Sequence, residues 1–207
     1  MGNQSFIYRH ISIYRSIMNI LYLGKYKQRF RPIIEEIEKL PPHSKILELC
    51  FGDVLIAEHC QQFGYHWKGI DINEHFVKHA LKAGYEAYHE DVSKLEVIPK
   101  SDLCLMIGSL YHFHPNAESI LTKMFNSSDV VMLSEPVLNL SSTKGLIGYF
   151  ARRSANAGKG NEDFRYKESS LMEELNTYCS KFNCKIASVQ SLGKDLLIKL
   201  IKNGNGN

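Results

Sequence analysis

The run Lys45-Ile46-Leu47-Glu48-Leu49-Cys50-Phe51-Gly52-Asp53, taken with Gly69-Ile70-Asp71-Ile72-Asn73, constrains the fold more than any other part of the chain. A short apolar run ends in an acid and a tight, glycine-bearing turn. Helical spacing follows from 54 to 63. A second apolar run then ends in Asp71, nineteen residues after Gly52. This is one β-α-β unit with a carboxylate at the tip of its second strand. Such a carboxylate can accept both hydroxyl hydrogens of a ribose diol, and the first turn lets a ligand approach the backbone. The implied ligand is an adenosine-type cofactor.

The alternation continues. Strands are predicted over 45–50, 66–71, 86–89, 102–107 and 129–134, and helices over 54–63, 74–83 and 116–126. Short connections of the βα and αβ kind join them. That order implies a parallel sheet covered on both faces. After a helix at 168–180, strands at 184–191 and 195–202 read as an antiparallel hairpin around Gly193. Ahead of the sheet, Phe6, Ile7, Ile11, Tyr14, Ile17, Met18 and Leu21 recur at mostly helical spacing. They predict an amphipathic helix over 5–23, broken at Gly24. A second helix is expected over 26–39, ended by Pro41-Pro42. Residues 137–163 carry Asn, Ser, Gly and the pair Arg152-Arg153. They read as an excursion forming part of a pocket lid, weakly helical around 144–153.

Composition narrows the function classes. Apolar and charged fractions of 44% and 23% are those of an ordinary soluble protein. No apolar run approaches the roughly 18–20 residues needed to span a bilayer. The N-terminus lacks a signal-peptide core, and Phe6 stands where a myristoylation signal wants Ser or Thr. Cys50, Cys60, Cys104, Cys179 and Cys184 form no C-x-x-C pair. They read as free thiols in a reducing cytoplasm rather than as disulfides or a zinc site. Arg9, Arg15, Lys25, Lys27, Arg29 and Arg31 all precede the first acid, Glu35. This basic stretch is a solvated helix face, or it meets an anionic substrate or a membrane surface.

Parallel order, a ribose acid after the second strand and a terminal hairpin together resemble the class I methyltransferases that use S-adenosylmethionine (SAM). The resemblance covers roughly residues 40–200. Glu48 to Gly52 match the family's first motif, an acid followed by a Gly-rich turn. Asp71, with Ile72 beside it, matches the ribose acid. Glu90-Asp91-Val92 match the third-strand loop, whose acid meets the adenine amino group. Ser101-Asp102-Leu103 through Ile107-Gly108-Ser109 match the fourth strand, whose end faces the methionine part of SAM. The turn departs from the family pattern, because Cys50 and Val54 replace its outer glycines. Val54 does not readily take a positive φ, so the turn must close in a helix-compatible conformation, with the small Cys50 beside the ligand.

The resemblance implies a Rossmann-like α/β fold with a mostly parallel seven-stranded sheet and helices on both faces. Together with the pattern outside it, this divides the chain into an N-terminal helical lid (1–40), whose tyrosines and isoleucines need an apolar surface, a SAM-binding domain (41–202) and a disordered tail (203–207). It implies SAM as cofactor, S-adenosylhomocysteine as product, and Glu48, Cys50, Gly52, Asp71, Ile72, Asp91, Val92 and Gly108 as cofactor-binding residues. Asp71 could instead cap the next helix, Asp91 could cap a turn, Glu48 could accept from the turn's N–H groups, and Cys50 could serve packing only. Beyond the fourth strand lie Tyr111, His112 and His114, where ligands of open α/β sheets sit. His112 or His114 has a suitable intrinsic pKa for a general base, near 6.5, and His112 is the candidate because it lies nearer the strand end. His114 faces the opposite way if the segment is extended. Tyr111 and Glu135 are further candidates. Arg152 and Arg165 could hold an anionic substrate, and Tyr8 or Tyr14 could close over the site. No metal cluster, DNA-reading module or RNA motif is present. The expected acceptor is therefore a small molecule, anionic or partly apolar. A non-catalytic SAM-binding scaffold, a lipid or RNA methyltransferase using the basic N-terminus, and a nicotinamide oxidoreductase are the competing readings. The last lacks the G-x-G-x-x-G fingerprint around Gly52.

Overall fold

A computed structural model describes residues 11–137 and 164–204. Residues 5–10 of the expected first helix, including Phe6, Ile7, Tyr8 and Arg9, lie outside the described residues. So do the expected helix around 144–153, Arg152-Arg153 and residues 205–207.

The sheet has seven strands: β1 Lys45–Leu49, β2 His66–Asp71, β3 Glu86–His89, β4 Leu103–Ile107, β5 Val130–Pro136, β6 Cys184–Leu192 and β7 Asp195–Lys202. Their spatial order is β3-β2-β1-β4-β5-β7-β6. Strands β1 to β5 pair in parallel, and β7 runs antiparallel to both β5 and β6. The helices are α1 Ile11–Leu21, α2 Arg31–Ile37, α3 Leu55–Phe63, α4 Glu74–Lys82, α5 Ala117–Ser127 and α6 Glu168–Lys181. The seven-stranded Rossmann-like sheet and terminal hairpin are those expected from the sequence.

Strand β4 reads as an unbroken apolar run because it is buried on both faces. Successive side chains go to opposite cores. Leu47, Leu49, Cys104, Met106, Val131 and Leu133 meet Leu121, Leu171 and Leu175 on one face. Ile46, Leu105 and Met132 meet Phe30, Ile33, Ile37 and Ile56 on the other. The strand-rich faces thus force helices onto both sides. Close packing shows at Gly69, where a Cβ would sit 2.6 Å from the Phe51 ring and closer still to Trp67.

One expected element differs. The helix predicted over 26–39 is a 3-10 helix, Tyr26–Phe30, followed by α2. Pro32 has no N–H to give the Gln28 carbonyl. The Arg31 N–H donates to that carbonyl instead, in the tighter 3-10 pattern.

The N-terminal basic stretch is not one surface patch. The Arg15 guanidinium lies 2.7 Å from Asp53 and 3.0 Å from Glu58. Arg29 is buried, with Nε 2.7 Å from Asp195 Oδ2. Arg31 pairs with Glu35 on the surface, and Lys25 and Lys27 are exposed. Two of these cations therefore bind the N-terminal elements to the sheet: one to the turn after β1, the other to the start of β7. Among the described residues, no helix is long and apolar enough to cross a membrane.

Candidate active site

Because β1 to β5 are parallel, their carboxyl ends share one edge. Leu49, Asp71, His89, Ile107 and Glu135 all reach it. The strand order reverses between β1 and β4, and crevices at such a switch point receive ligands in open α/β sheets.

The turn after β1 is the centre of this edge. Cys50 N–H donates to the Ile70 carbonyl at 2.7 Å, which ties the turn to β2. Gly52 N–H donates to Asp71 Oδ2 at 3.1 Å, and Asn73 N–H donates to Asp71 Oδ1 at 2.7 Å. Asp71 thus holds the turn and its own strand end together. Capping of α4 falls to Asn73, whose side chain accepts from His75 N–H at 2.9 Å. Burial pushes the Asp71 carboxyl up to about 6, although its two N–H donors and nearby His89 act downward. Each oxygen therefore accepts one backbone bond, and the group still sits in a donor-poor environment.

The turn's backbone distributes strain unlike a glycine-rich loop. Val54 has φ −94°, as its β-branched side chain requires. Cys50 and Gly52 both occupy the left-handed region, at φ +54° and +58°. Val54 keeps the negative φ expected of it, but with ψ +18° it is not helical, and Cys50 adopts a glycine's conformation with a side chain attached. Enclosure pushes its thiol well above the ordinary value. Tyr14 from α1 lies over the turn, its hydroxyl 3.2 Å from where a Gly52 Cβ would stand.

Glu48 does not serve the turn's N–H groups. It is fully buried on the α1–α3 face, where Trp67 Nε1–H donates to Oε2 at 2.9 Å. Burial pushes its carboxyl well up. Strand alternation explains this: Glu48 shares a face with Ile46, away from Leu47 and Leu49. Asp91 closes its own turn, accepting from Ser93 N–H at 3.1 Å and from Ser93 Oγ–H at 2.6 Å. Val92 beside it is buried, and Ile72 is half-buried with its carbonyl 3.0 Å from His89 Nε2.

The segment after β4 is not extended. Leu110–Phe113 forms a 3-10 turn. Glu135, fully buried at the end of β5, draws it in by accepting from Leu110 N–H at 2.9 Å and Tyr111 N–H at 3.3 Å. Burial pushes the Glu135 carboxyl up to about 8. His112 is half-buried, its ring 4.0 Å from that of Tyr111. Burial, then the Arg165 cation, lowers His112 to about 4. Arg165 Cζ lies 3.8 Å over the Tyr111 ring. His114 stacks on Phe164 at 3.6 Å, with Tyr166 edge-on. Nδ1 of both histidines is enclosed without a hydrogen-bond partner.

Sequence reasoning missed the role of Arg29. Its Nη2 is buried without a hydrogen-bond partner and lies 3.2 Å from where a Gly108 Cβ would stand. Gly108 itself has φ +68°. Tyr22 stacks under the guanidinium at 4.6 Å, and its hydroxyl donates to Asp195 Oδ1 at 3.0 Å. The recurrence of Tyr22, Tyr26 and Phe30 around Arg29 was the available signal. Asp53 and Trp67 were likewise passed over. Among the described residues, no cluster of His, Cys, Asp and Glu could hold a metal ion.

Replacing Cys50 by glycine relieves a left-handed side chain, whose strain is of order 1–3 kcal/mol. Allowing for lost thiol packing, we expect a net gain of about 1 kcal/mol and a melting temperature about 3 °C higher. Thermal unfolding of Cys50→Gly checks this; a lower melting temperature would mean that thiol packing outweighs backbone strain.

No protein-family model and no curated protein matches the sequence. Solved structures match in fold. The methyltransferase domain of bacterial CtHen1-C superposes with a TM-score of 0.66, over 86% of this chain and 98% of that one, at 12% identity. The magnesium protoporphyrin IX methyltransferase ChlM from Synechocystis PCC 6803, with bound S-adenosylhomocysteine, superposes at 0.63 over 92% and 87%, at 14% identity. A Rhodobacter sphaeroides protein described as a "putative Zn-dependent alcohol dehydrogenase" also reaches 0.63, over 83% and 88%, at 12% identity. At these identities the likeness establishes architecture: the chain has the Rossmann-like α/β fold found in class I SAM-dependent methyltransferases.

Proposed function

We propose that this chain is a SAM-dependent methyltransferase acting on a small-molecule acceptor. The observation that carries the reading is Asp71. Its carboxylate ends β2 at the switch-point edge, grips the Gly52 turn, and remains raised despite two backbone donors. A ribose diol would supply the missing donors. ChlM holds S-adenosylhomocysteine in the matched fold, which supports the same class of ligand here.

In this reading Asp71 binds the ribose. Asp91 meets the adenine amino group, with Ile72 and Val92 flanking the ring. The Cys50–Gly52 turn approaches the cofactor through its backbone, while Glu48 braces β1 through Trp67. Arg29, behind Gly108, holds the carboxylate at the amino-acid end. When bound, SAM supplies a methyl group already activated on a sulfonium. The chain's remaining task is to position the acceptor and manage its proton. His112, lowered to about 4, is neutral at physiological pH and takes that proton as a weaker base than the ordinary imidazole expected from the sequence. Glu135 positions His112 by holding the backbone at Leu110 and Tyr111. Tyr14 and α1 form a lid that excludes water, and Arg165 over Tyr111 suits an acceptor that is anionic or flat.

Calorimetric titration with SAM tests the cofactor assignment. Asp71→Ala should weaken binding by about 1.5–3 kcal/mol, the range for hydrogen bonds to a charged group. Ribose binding favours the ionised carboxylate, whose value in the free protein is about 6. Affinity should therefore rise with pH through that value and level off above it, and Asp71→Asn should flatten this dependence. Arg29→Lys should narrow the preference for SAM over its decarboxylated analogue. Unchanged affinity in Asp71→Ala would sink the ribose assignment.

The base assignment has its own signature. With His112 lowered to about 4, turnover at saturating SAM should be flat from about pH 6 to 8 and fall only in acid. An unperturbed imidazole would give a limb near 6.5. His112→Ala should slow turnover by about 100-fold, the lower range for general base catalysis, with little change in SAM affinity. Near-normal turnover in that variant would return His112 to a packing role.

A further inference from the structure

The two cysteines at the far end of α6 lie outside the proposed site and stand in contact. The helix ends at Lys181. Phe182 follows at φ −122°, and Asn183 turns the chain back in the left-handed region at φ +40°. Asparagine tolerates that region better than most residues. The reversal returns Cys184, the first residue of β6, to Cys179 on the last turn of the helix. The Cys184 thiol donates to the Cys179 sulfur at 3.2 Å.

The surrounding bonds hold this approach. Asn203 N–H donates to the Asn183 carbonyl at 2.9 Å, and Asn203 Nδ2–H donates to Asn183 Oδ1 at 3.2 Å. The Phe182 ring stacks on Tyr178 at 4.5 Å. The turn between the two sulfurs is thus pinned by the residue that follows β7 and by the helix itself. Cys60 and Cys104 are also buried free thiols.

We propose that Cys179 and Cys184 are a redox modification site: a dithiol that converts reversibly to a disulfide and fastens the end of α6 to β6. The two residues differ in access. Cys179 is part-exposed and Cys184 is buried. Burial, then the neighbouring Cys179, pushes the Cys184 thiol up to about 12. First attack therefore falls to Cys179. With glutathione disulfide as oxidant, the Cys179 thiolate attacks one sulfur. The S–S bond breaks and one glutathione thiolate leaves. Cys184 then attacks the Cys179 sulfur of the mixed disulfide, and a second glutathione thiolate leaves. The protein dithiol loses two electrons, the glutathione disulfide gains them, and the two thiol protons end on the two released glutathiones.

The test uses the full chain, reduced and then treated with glutathione disulfide under native conditions. Trypsin cuts after Lys181 and Lys185, so the peptides bearing Cys179 and Cys184 separate unless a disulfide joins them. Mass spectrometry should find them joined and should see them part on reduction. Closing so short a loop should raise the melting temperature by about 5 °C, reversed by dithiothreitol. Cys179→Ser should remove both effects while leaving the reduced protein's melting temperature near normal. A glutathione adduct at Cys179 without the link would overturn the proposal, as would inert thiols under conditions that oxidise the unfolded chain. A link that leaves the melting temperature unchanged would overturn the fastening role.

Discussion

The Asp71 carboxylate is the contact on which the candidate site depends. It accepts the Gly52 N–H from the turn after β1 and the Asn73 N–H at the entrance to α4. Two neighbouring strand ends and the helix after the second are therefore set by one buried acid. Burial outweighs those two bonds, so the group stays raised to about 6. Because the folded-state value lies above the ordinary 3.8, Asp71 favours the folded chain most in acid. That contribution is lost as pH rises through about 6. At neutral pH the free protein thus carries a cost that a donor-bearing ligand would relieve. Perturbed acids of this kind concentrate at functional sites.

Buried charge organises the chain's two ends in the same way. Arg29 and Asp195 stand far apart in sequence yet meet at 2.7 Å beside Gly108. A buried pair is weak evidence for stability, since desolvation consumes much of its attraction. Its value here is geometric: it anchors the N-terminal 3-10 helix to the start of β7, at the edge where the parallel strands end. Arg15 does the same for α1 through Asp53, which also accepts from Val54 N–H at 2.8 Å. Glu135 completes the set by gathering the backbone after β4. Three acids and two arginines therefore shape the mouth of the crevice from four different parts of the chain.

Local patterns made much of this legible. Continuous apolar runs ending in Gly, Asp and Glu marked β1, β2, β4 and β5, because both faces of a parallel sheet are buried. The spacing from Gly52 to Asp71 required only one helix and two strand ends, so the sequence alone placed those residues together. Other features had no such period. Nothing near Glu48 announces Trp67 as its donor. Nothing near His112 announces that Glu135 pulls the segment into a 3-10 turn, so the condition for His112 and His114 to face opposite ways is not met.

The sequence by itself determined the alternation of strands and helices, the parallel order, and the identity of the acid at the tip of β2. These follow from side-chain periodicity and turn chemistry, which act over a few residues. Only the tertiary structure decided how each polar group is satisfied. It turned Cys50 left-handed, directed Glu48 to Trp67, buried Arg29 against Asp195, and lowered His112 through burial and then the Arg165 cation. Those outcomes depend on desolvation and on contacts between segments far apart in the chain, and neither has a signature in local sequence.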